Sequence, residues 1–144
     1  MLEFLNAEDV LFGQRYDSLQ EAIRGAGSIL EKKKYILPAY IDAMLALIEE
    51  FGPYIVIMPH IALAHARPEG RVVENSVSLV TCMEGIESGN KPNDPVFALF
   101  AIAAKTDKEF LGLFRDVAEF LVAPGNVERL LKAECYDDLY AEAT

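Results

Sequence analysis

The sequence predicts an α/β protein, with helices on both sides of a central cluster of strands. Two observations support this fold class: apolar residues recur at helical spacing towards both ends of the chain, and short, continuous apolar runs lie between them. No repeat, low-complexity tract or Gly/Ser-rich linker interrupts the chain. We therefore expect residues 1–144 to form a single layered domain.

Two helices are predicted in the first third of the chain. The pattern Ser18-x-x-Glu21 is that of a capping box, so the first helix should begin directly after Ser18. One buried stripe follows at helical spacing: Leu19, Ala22, Ile23, Ala26, Ile29 and Leu30. A second helix should open near Pro38, a residue suited to a first turn, and end at Gly52.

Three strands are predicted in the middle of the chain, at residues 54–58, 77–83 and 96–103. The first run is short, apolar and rich in β-branched residues. The last is apolar throughout, as expected of a strand that is buried on both faces. Residues 84–95 are rich in Gly, Pro, Asn and Asp, which indicates a surface loop.

The last third of the chain is predicted to be helical. A second capping box, Thr106-x-x-Glu109, begins a third helix that should continue to about Leu121. Asn126 is a candidate cap for a short fourth helix, and a final helical segment is expected at residues 136–143.

Composition and charge exclude several classes of function. The chain carries 13 Lys and Arg against 23 Asp and Glu, a formal net charge of −10, which argues against general nucleic-acid binding and against attraction to anionic membranes. The first residues lack the pattern of a signal peptide, and no apolar run approaches the roughly 20 residues of a membrane span. We expect a cytoplasmic protein that does not insert into the membrane.

Both histidines of the chain, His60 and His65, lie close together among small residues. A neutral imidazole is a nucleophile that can accept a phosphoryl group and pass it on. The alternatives are a structural histidine in a loop and a metal site, for which His60, His65 and Glu69 form a poor ligand set. Cys82 falls in an apolar strand and no Gly-x-Ser-x-Gly pattern occurs, so no other nucleophile stands out. We expect neither a metal nor a cofactor.

Residues 61–66, Ile-Ala-Leu-Ala-His-Ala, resemble the active-site motif of enzyme IIA domains of the phosphotransferase system, in the mannitol/fructose class. The resemblance runs from about residue 51 to residue 131 and is closest to the ascorbate-type branch. Four further segments match in order: Phe51-Gly52-Pro53-Tyr54, Ala66-Arg67-Pro68-Glu69, Ser78-Leu79-Val80-Thr81 and Asn93-Asp94-Pro95-Val96.

The resemblance implies a mixed sheet flanked by helices and a phosphocarrier whose catalytic residue is His65. In this family the histidine takes phosphate from phosphorylated HPr and gives it to a cysteine of an enzyme IIB partner. The membrane component, enzyme IIC, then couples the phosphate to uptake of a sugar, here ascorbate or a related one. The alternative is a regulatory binding module that keeps the fold and signals through its phosphorylation state.

The chain departs from the family pattern at three places. Ala64 replaces the proline before the active-site histidine. The second histidine of many relatives falls on Glu109 or Phe110, depending on one gap. The arginine that mannitol-type members carry near the end of the second helix is replaced by apolar residues around Leu47 and Ile48.

Other groups must therefore hold the phosphate, and three side chains are candidates. Arg67 lies two residues after His65, and its guanidinium can bind phosphate with two hydrogen bonds; the alternative is a solvated loop charge. Thr106 stands at the start of the third helix, where backbone N–H groups attract anions; its alternative role is capping alone. His60 is a neighbouring imidazole, although its odd offset from His65 favours opposite faces of a strand and a structural role.

Overall fold

A computed structural model describes residues 2–140 and shows a five-stranded mixed β-sheet. The strands are β1 (Val10–Gln14), β2 (Val56–Met58), β3 (Ile61–Ala64), β4 (Ser76–Ile86) and β5 (Val96–Ala103). Their order across the sheet is β1-β4-β5-β3-β2. The β1/β4 and β3/β5 pairs are parallel, whereas β4/β5 and β2/β3 are antiparallel, which confirms the predicted mixed sheet.

Four α-helices flank the sheet: α1 (Leu19–Lys32), α2 (Pro38–Phe51), α3 (Asp107–Val122) and α4 (Asn126–Lys132). The first residues of the two predicted capping boxes, Ser18 and Thr106, accept a hydrogen bond from the backbone N–H three residues later. Asn126 was wrongly predicted as a cap: Gly125 precedes α4 in the left-handed conformation, and the Asn126 side chain donates to the Phe120 carbonyl instead. The last predicted helical segment is a 3₁₀ turn, Tyr136–Leu139, and residues 141–143 lie outside the described residues.

The strand predicted at residues 96–103 matches β5, those at 54–58 and 77–83 correspond to β2 and β4 with other bounds, and β1 and β3 were not predicted. β1 was missed because it is an edge strand with alternating exposure and a glycine, Gly13, at positive φ, so it shows no continuous apolar run. β4 extends to Ile86, which pairs with Val96, so the surface loop begins three residues later than predicted. β2 begins only at Val56 because the chain turns at residues 54–55.

Each face of the sheet is covered by its own pair of helices. α1 and α2 pack on the face that carries Leu99 and Ala101 of β5, while α3 and α4 pack on the face that carries Phe100 and Ile102. Both sets of side chains are fully buried, which explains why β5 is apolar at every position. This layered arrangement brings the carboxyl ends of β3 and β5 to one edge of the sheet, close to the start of α3.

Candidate functional site

His65 is the first residue after β3, and the sheet brings it to the first turn of α3. Because β3 and β5 are parallel, with Ala64 beside Ala101, both strands end at the same edge of the sheet. α3 begins at Asp107, four residues after β5 ends. The rings of His65 and Phe110 consequently lie with their centroids 4.9 Å apart.

One hydrogen bond determines which nitrogen of the His65 ring carries the proton. Its Nδ1 lies 3.1 Å from the carbonyl oxygen of Leu63. A carbonyl oxygen can only accept, so Nδ1 must be the protonated nitrogen. The lone pair of the neutral ring is thereby assigned to Nε2, the nitrogen that an electrophile can reach.

A buried tyrosine, Tyr40, holds the backbone that follows His65. The N–H of Ala66 donates to the hydroxyl oxygen of Tyr40 at 3.0 Å, and that hydroxyl donates to the carbonyl of Ile102 at 2.7 Å. Burial raises the pKa of Tyr40 to about 12, so its proton stays in place at neutral pH. α2 and β5 therefore position the backbone on which the imidazole is mounted.

Two aromatic rings enclose the imidazole. Tyr54 meets it edge-on, with ring centroids 6.1 Å apart and an interplanar angle of 87°, and Phe110 lies across it at 36°. Burial lowers the pKa of His65, and the hydrogen bond to Leu63 only partly opposes this effect. The ring is therefore held neutral, in its nucleophilic form.

The imidazole borders a cavity of about 610 Å³ between α2, α3 and the loop that follows β3. Part of the wall is apolar: Ala43, Ala46, Leu47, Tyr54, Ala66, Pro68, Ala104, Phe110 and Leu111. The charged residues in the lining are two cations, Arg67 and Arg71, and three acids, Glu50, Glu69 and Asp107. Cations and a neutral imidazole thus share one cavity, a combination that suits a phosphoryl group.

Arg67, the first predicted phosphate ligand, lies in this cavity. Its Nη1 is 3.9 Å from Oδ2 of Asp107, and both side chains are about three-quarters exposed. Ion pairs this exposed contribute little, about 0–1 kcal/mol. An incoming anion can therefore replace Asp107 as the ion-pair partner of Arg67 at a small cost in free energy.

The side chains of Thr106 and Glu109 make hydrogen bonds at the start of α3. The Thr106 hydroxyl oxygen accepts from the Glu109 N–H at 3.1 Å, which is the capping alternative, and Thr106 does not line the cavity. The Glu109 carboxylate accepts a hydrogen bond from Asn75, whose side-chain oxygen accepts from the Lys105 N–H. Phe110, rather than Glu109, is therefore the residue that faces His65.

His60 is not brought to the site. It lies in the turn between β2 and β3 with φ at +74°, at the opposite end of β3 from His65. Its Nδ1 lies 2.8 Å from the Pro95 carbonyl oxygen, and its ring packs on Phe97 with centroids 5.4 Å apart. The two histidines are separated by the length of a strand rather than placed on its two faces, which favours the structural role for His60.

Three residues of the site were not singled out from the sequence as functional: Tyr40, Tyr54 and Arg71. Tyr40 carries no local signal, because its contacts with the His65 loop depend on the packing of α2, whereas Arg71 contacts residues of its own loop. Tyr54 lies in a segment that matches the family, but nothing local predicts its contact with the imidazole. Within residues 2–140, no group of three or more His, Cys, Asp or Glu side chains could hold a metal ion.

Comparison with known proteins assigns the family. The model of the family described as phosphoenolpyruvate-dependent sugar phosphotransferase system, EIIA 2, matches residues 3–142. The chain belongs to this family. It is therefore a phosphocarrier component of the sugar phosphotransferase system, as the sequence motif predicted.

The relatives include curated proteins of the ascorbate branch. The ascorbate-specific EIIA component of Salmonella paratyphi A is 38% identical over 109 residues, which cover 70% of this chain and 71% of the relative. The corresponding protein of Escherichia coli K12 is 39% identical over 88 residues, covering 61% of this chain and 57% of that protein.

Solved structures of mannitol proteins share the fold. The mannitol-specific cryptic enzyme IIA of Escherichia coli has a TM-score of 0.84 at 26% identity, covering 95% of this chain and 92% of the other. Enzyme IIA mannitol in complex with phosphorylated enzyme IIB, also from Escherichia coli, has a TM-score of 0.82 at 27% identity, with coverages of 94% and 93%. Among the described helices of the present protein, none is long and apolar enough to cross a membrane.

The environment of His65 predicts an acid-shifted titration. By NMR, the ring of His65 should titrate with a midpoint below its ordinary value of about 6.5 because burial disfavours the imidazolium. Phe110→Ala should raise the midpoint towards that value by admitting water. Phe97→Ala, which removes a ring beside His60, is the matched control and should leave His65 unchanged. A wild-type midpoint at or above about 6.5 would contradict the described environment.

Proposed function

We propose that His65 accepts a phosphoryl group on Nε2 from phosphorylated HPr and passes it to a cysteine of an enzyme IIB partner. The observation that carries the proposal is the hydrogen bond between His65 Nδ1 and the Leu63 carbonyl, which leaves Nε2 unprotonated beside an open cavity. Enzyme IIC then uses the phosphate for uptake of ascorbate or a related sugar, a substrate class supported by the ascorbate-specific relatives.

The transfer needs no activating base because the nucleophile is already neutral. The Nε2 lone pair attacks phosphorus, and the bond between phosphorus and the donor nitrogen breaks with its electron pair left on the donor. The His65 ring gains a positive charge, which the Leu63 carbonyl stabilises while Nδ1 keeps its proton. The donor ring takes up a proton from solvent as the bond breaks, so charge and protons balance.

Arg67 and the start of α3 are the proposed seat of the phosphoryl group. Backbone N–H groups in the first turn of a helix lack partners within the helix, and the helix dipole there favours an anion. Thr106 contributes by capping this turn, and Arg67 exchanges Asp107 for phosphate oxygens. No role in holding phosphate is proposed for His60, which lies at the other end of β3.

The rim of the cavity suits a protein partner. Two large apolar side chains beside it, Phe51 and Leu111, are each 63% exposed and are therefore available for contact with a partner. The related mannitol enzyme IIA has been solved in complex with phosphorylated enzyme IIB. We propose that donor and acceptor proteins dock in turn on this rim, since each must reach the same nitrogen.

Phosphorylated HPr should add one acid-labile phosphate to this protein, seen as a single addition in the intact mass. His65→Ala should abolish the addition because it removes the nucleophile. His60→Ala is the matched control: it removes the other imidazole of the chain and should retain most of the labelling. Normal labelling of the His65 variant would overturn the site assignment.

Arg67→Ala should slow phosphorylation or hasten loss of the phosphate about tenfold, the loss expected for one charge-assisted hydrogen bond. Its melting temperature should change little, because the Arg67 side chain is exposed and its ion pair with Asp107 is long. Arg15→Ala, which removes an exposed cation paired with Glu84, controls for net charge. If Arg67→Ala instead lowers the melting temperature and spares transfer, Arg67 is structural.

A further inference from the structure

Arg71 is anchored in the wall of the cavity by its backbone. Its N–H donates to the Pro68 carbonyl at 2.6 Å, and its carbonyl accepts from the Leu37 N–H at 2.9 Å. The next residue, Val72, forms an isolated β-bridge with Ile36. The segment between α1 and α2 therefore fixes the base of the Arg71 side chain.

The guanidinium of Arg71 is buried deeper than that of Arg67 and is incompletely bonded. Its Nη2 donates to the Arg67 carbonyl at 2.7 Å and lies 3.4 Å from Oε2 of Glu69. Its Nε is buried and has no hydrogen-bond partner within residues 2–140. The Arg71 guanidinium stays protonated and lines the same cavity as His65, which makes it a donor suited to a phosphate oxygen.

The lining of the cavity around His65 carries more acidic than basic side chains, which opposes the binding of a phosphoryl group. Glu50, Glu69 and Asp107 outnumber Arg67 and Arg71 in the cavity lining, and a phosphoryl group adds further negative charge. Phe110 and Leu47 also line the cavity, and neither side chain can donate a hydrogen bond. The positive charge of Arg71 also counteracts the rise in the pKa of Tyr40, whose hydroxyl binds the N–H of Ala66 next to His65.

We infer that Arg71 is a second phosphate-binding residue, whose guanidinium donates to an oxygen of the phosphoryl group on His65. This inference rests on the proposed function. During phosphoryl transfer, Nη2 of Arg71 stays hydrogen-bonded to the Arg67 carbonyl, so the loop after His65 stays in place. The Arg67 side chain meanwhile moves from Asp107 to the phosphate.

The test uses phosphorylation of His65 by phosphoramidate, a small donor that removes any effect on protein docking. The readout is the pH midpoint of the phosphohistidine ³¹P resonance. A nearby cation lowers this midpoint because it favours the more negative form. Arg71→Gln should therefore raise the midpoint by roughly one unit and slow phosphorylation about tenfold.

Glu69→Gln is the matched variant, since it disturbs the same loop but removes the acid that competes for Arg71. It should lower the midpoint, opposite in sign to Arg71→Gln, and it keeps the test valid if Arg71→Gln does not fold. Unchanged midpoints and rates in the variants, with a normally labelled wild type, would overturn the role of Arg71 and leave the phosphocarrier function standing. A wild type that takes up no phosphate from either phosphoramidate or phosphorylated HPr would overturn the proposed function itself.

Discussion

The pairing of β3 between β2 and β5 is the constraint on which the site depends. All four residues of β3 are buried, and the strand lies parallel to β5 in unbroken register from Ile61 beside Ala98 to Ala64 beside Ala101. The chain can leave the sheet only after Ala64, so His65 emerges where β5 also ends and α3 begins. The Leu63 carbonyl, two residues back, is then in reach of Nδ1 and selects the tautomer.

The same burial that keeps the His65 imidazole neutral would make it a difficult place for a phosphate. Tyr54 and Phe110 hold the imidazole neutral by keeping water away, and the Phe110 ring offers no donor to phosphate oxygens. Arginines serve this need well, because the guanidinium stays protonated and binds two oxygens at once. The loop after β3 supplies two of them to the cavity, Arg67 exposed at the rim and Arg71 held in the wall.

Much of this could be predicted from the sequence because the signals are local. Ser18 and Thr106 cap helices through neighbours three residues away, and the continuous apolar run of β5 reflects burial on both faces. The contacts that complete the site are not local: Tyr40 reaches Ala66 across 26 residues and Ile102 across 62. The spacing of the two histidines also misplaced His60 on the opposite face of a strand from His65. Strand periodicity cannot show that β3 begins only after His60, which itself lies in a turn at positive φ.

The most direct test of the central claim is NMR of the imidazole nitrogens in protein labelled with ¹⁵N-histidine. Before phosphorylation, His65 should show a protonated Nδ1 and an unprotonated Nε2. After reaction with phosphorylated HPr, a one-bond coupling to phosphorus should appear at Nε2 of His65. A protonated Nε2 in the free protein, or coupling to phosphorus at Nδ1 or in His60, would contradict this account of the site.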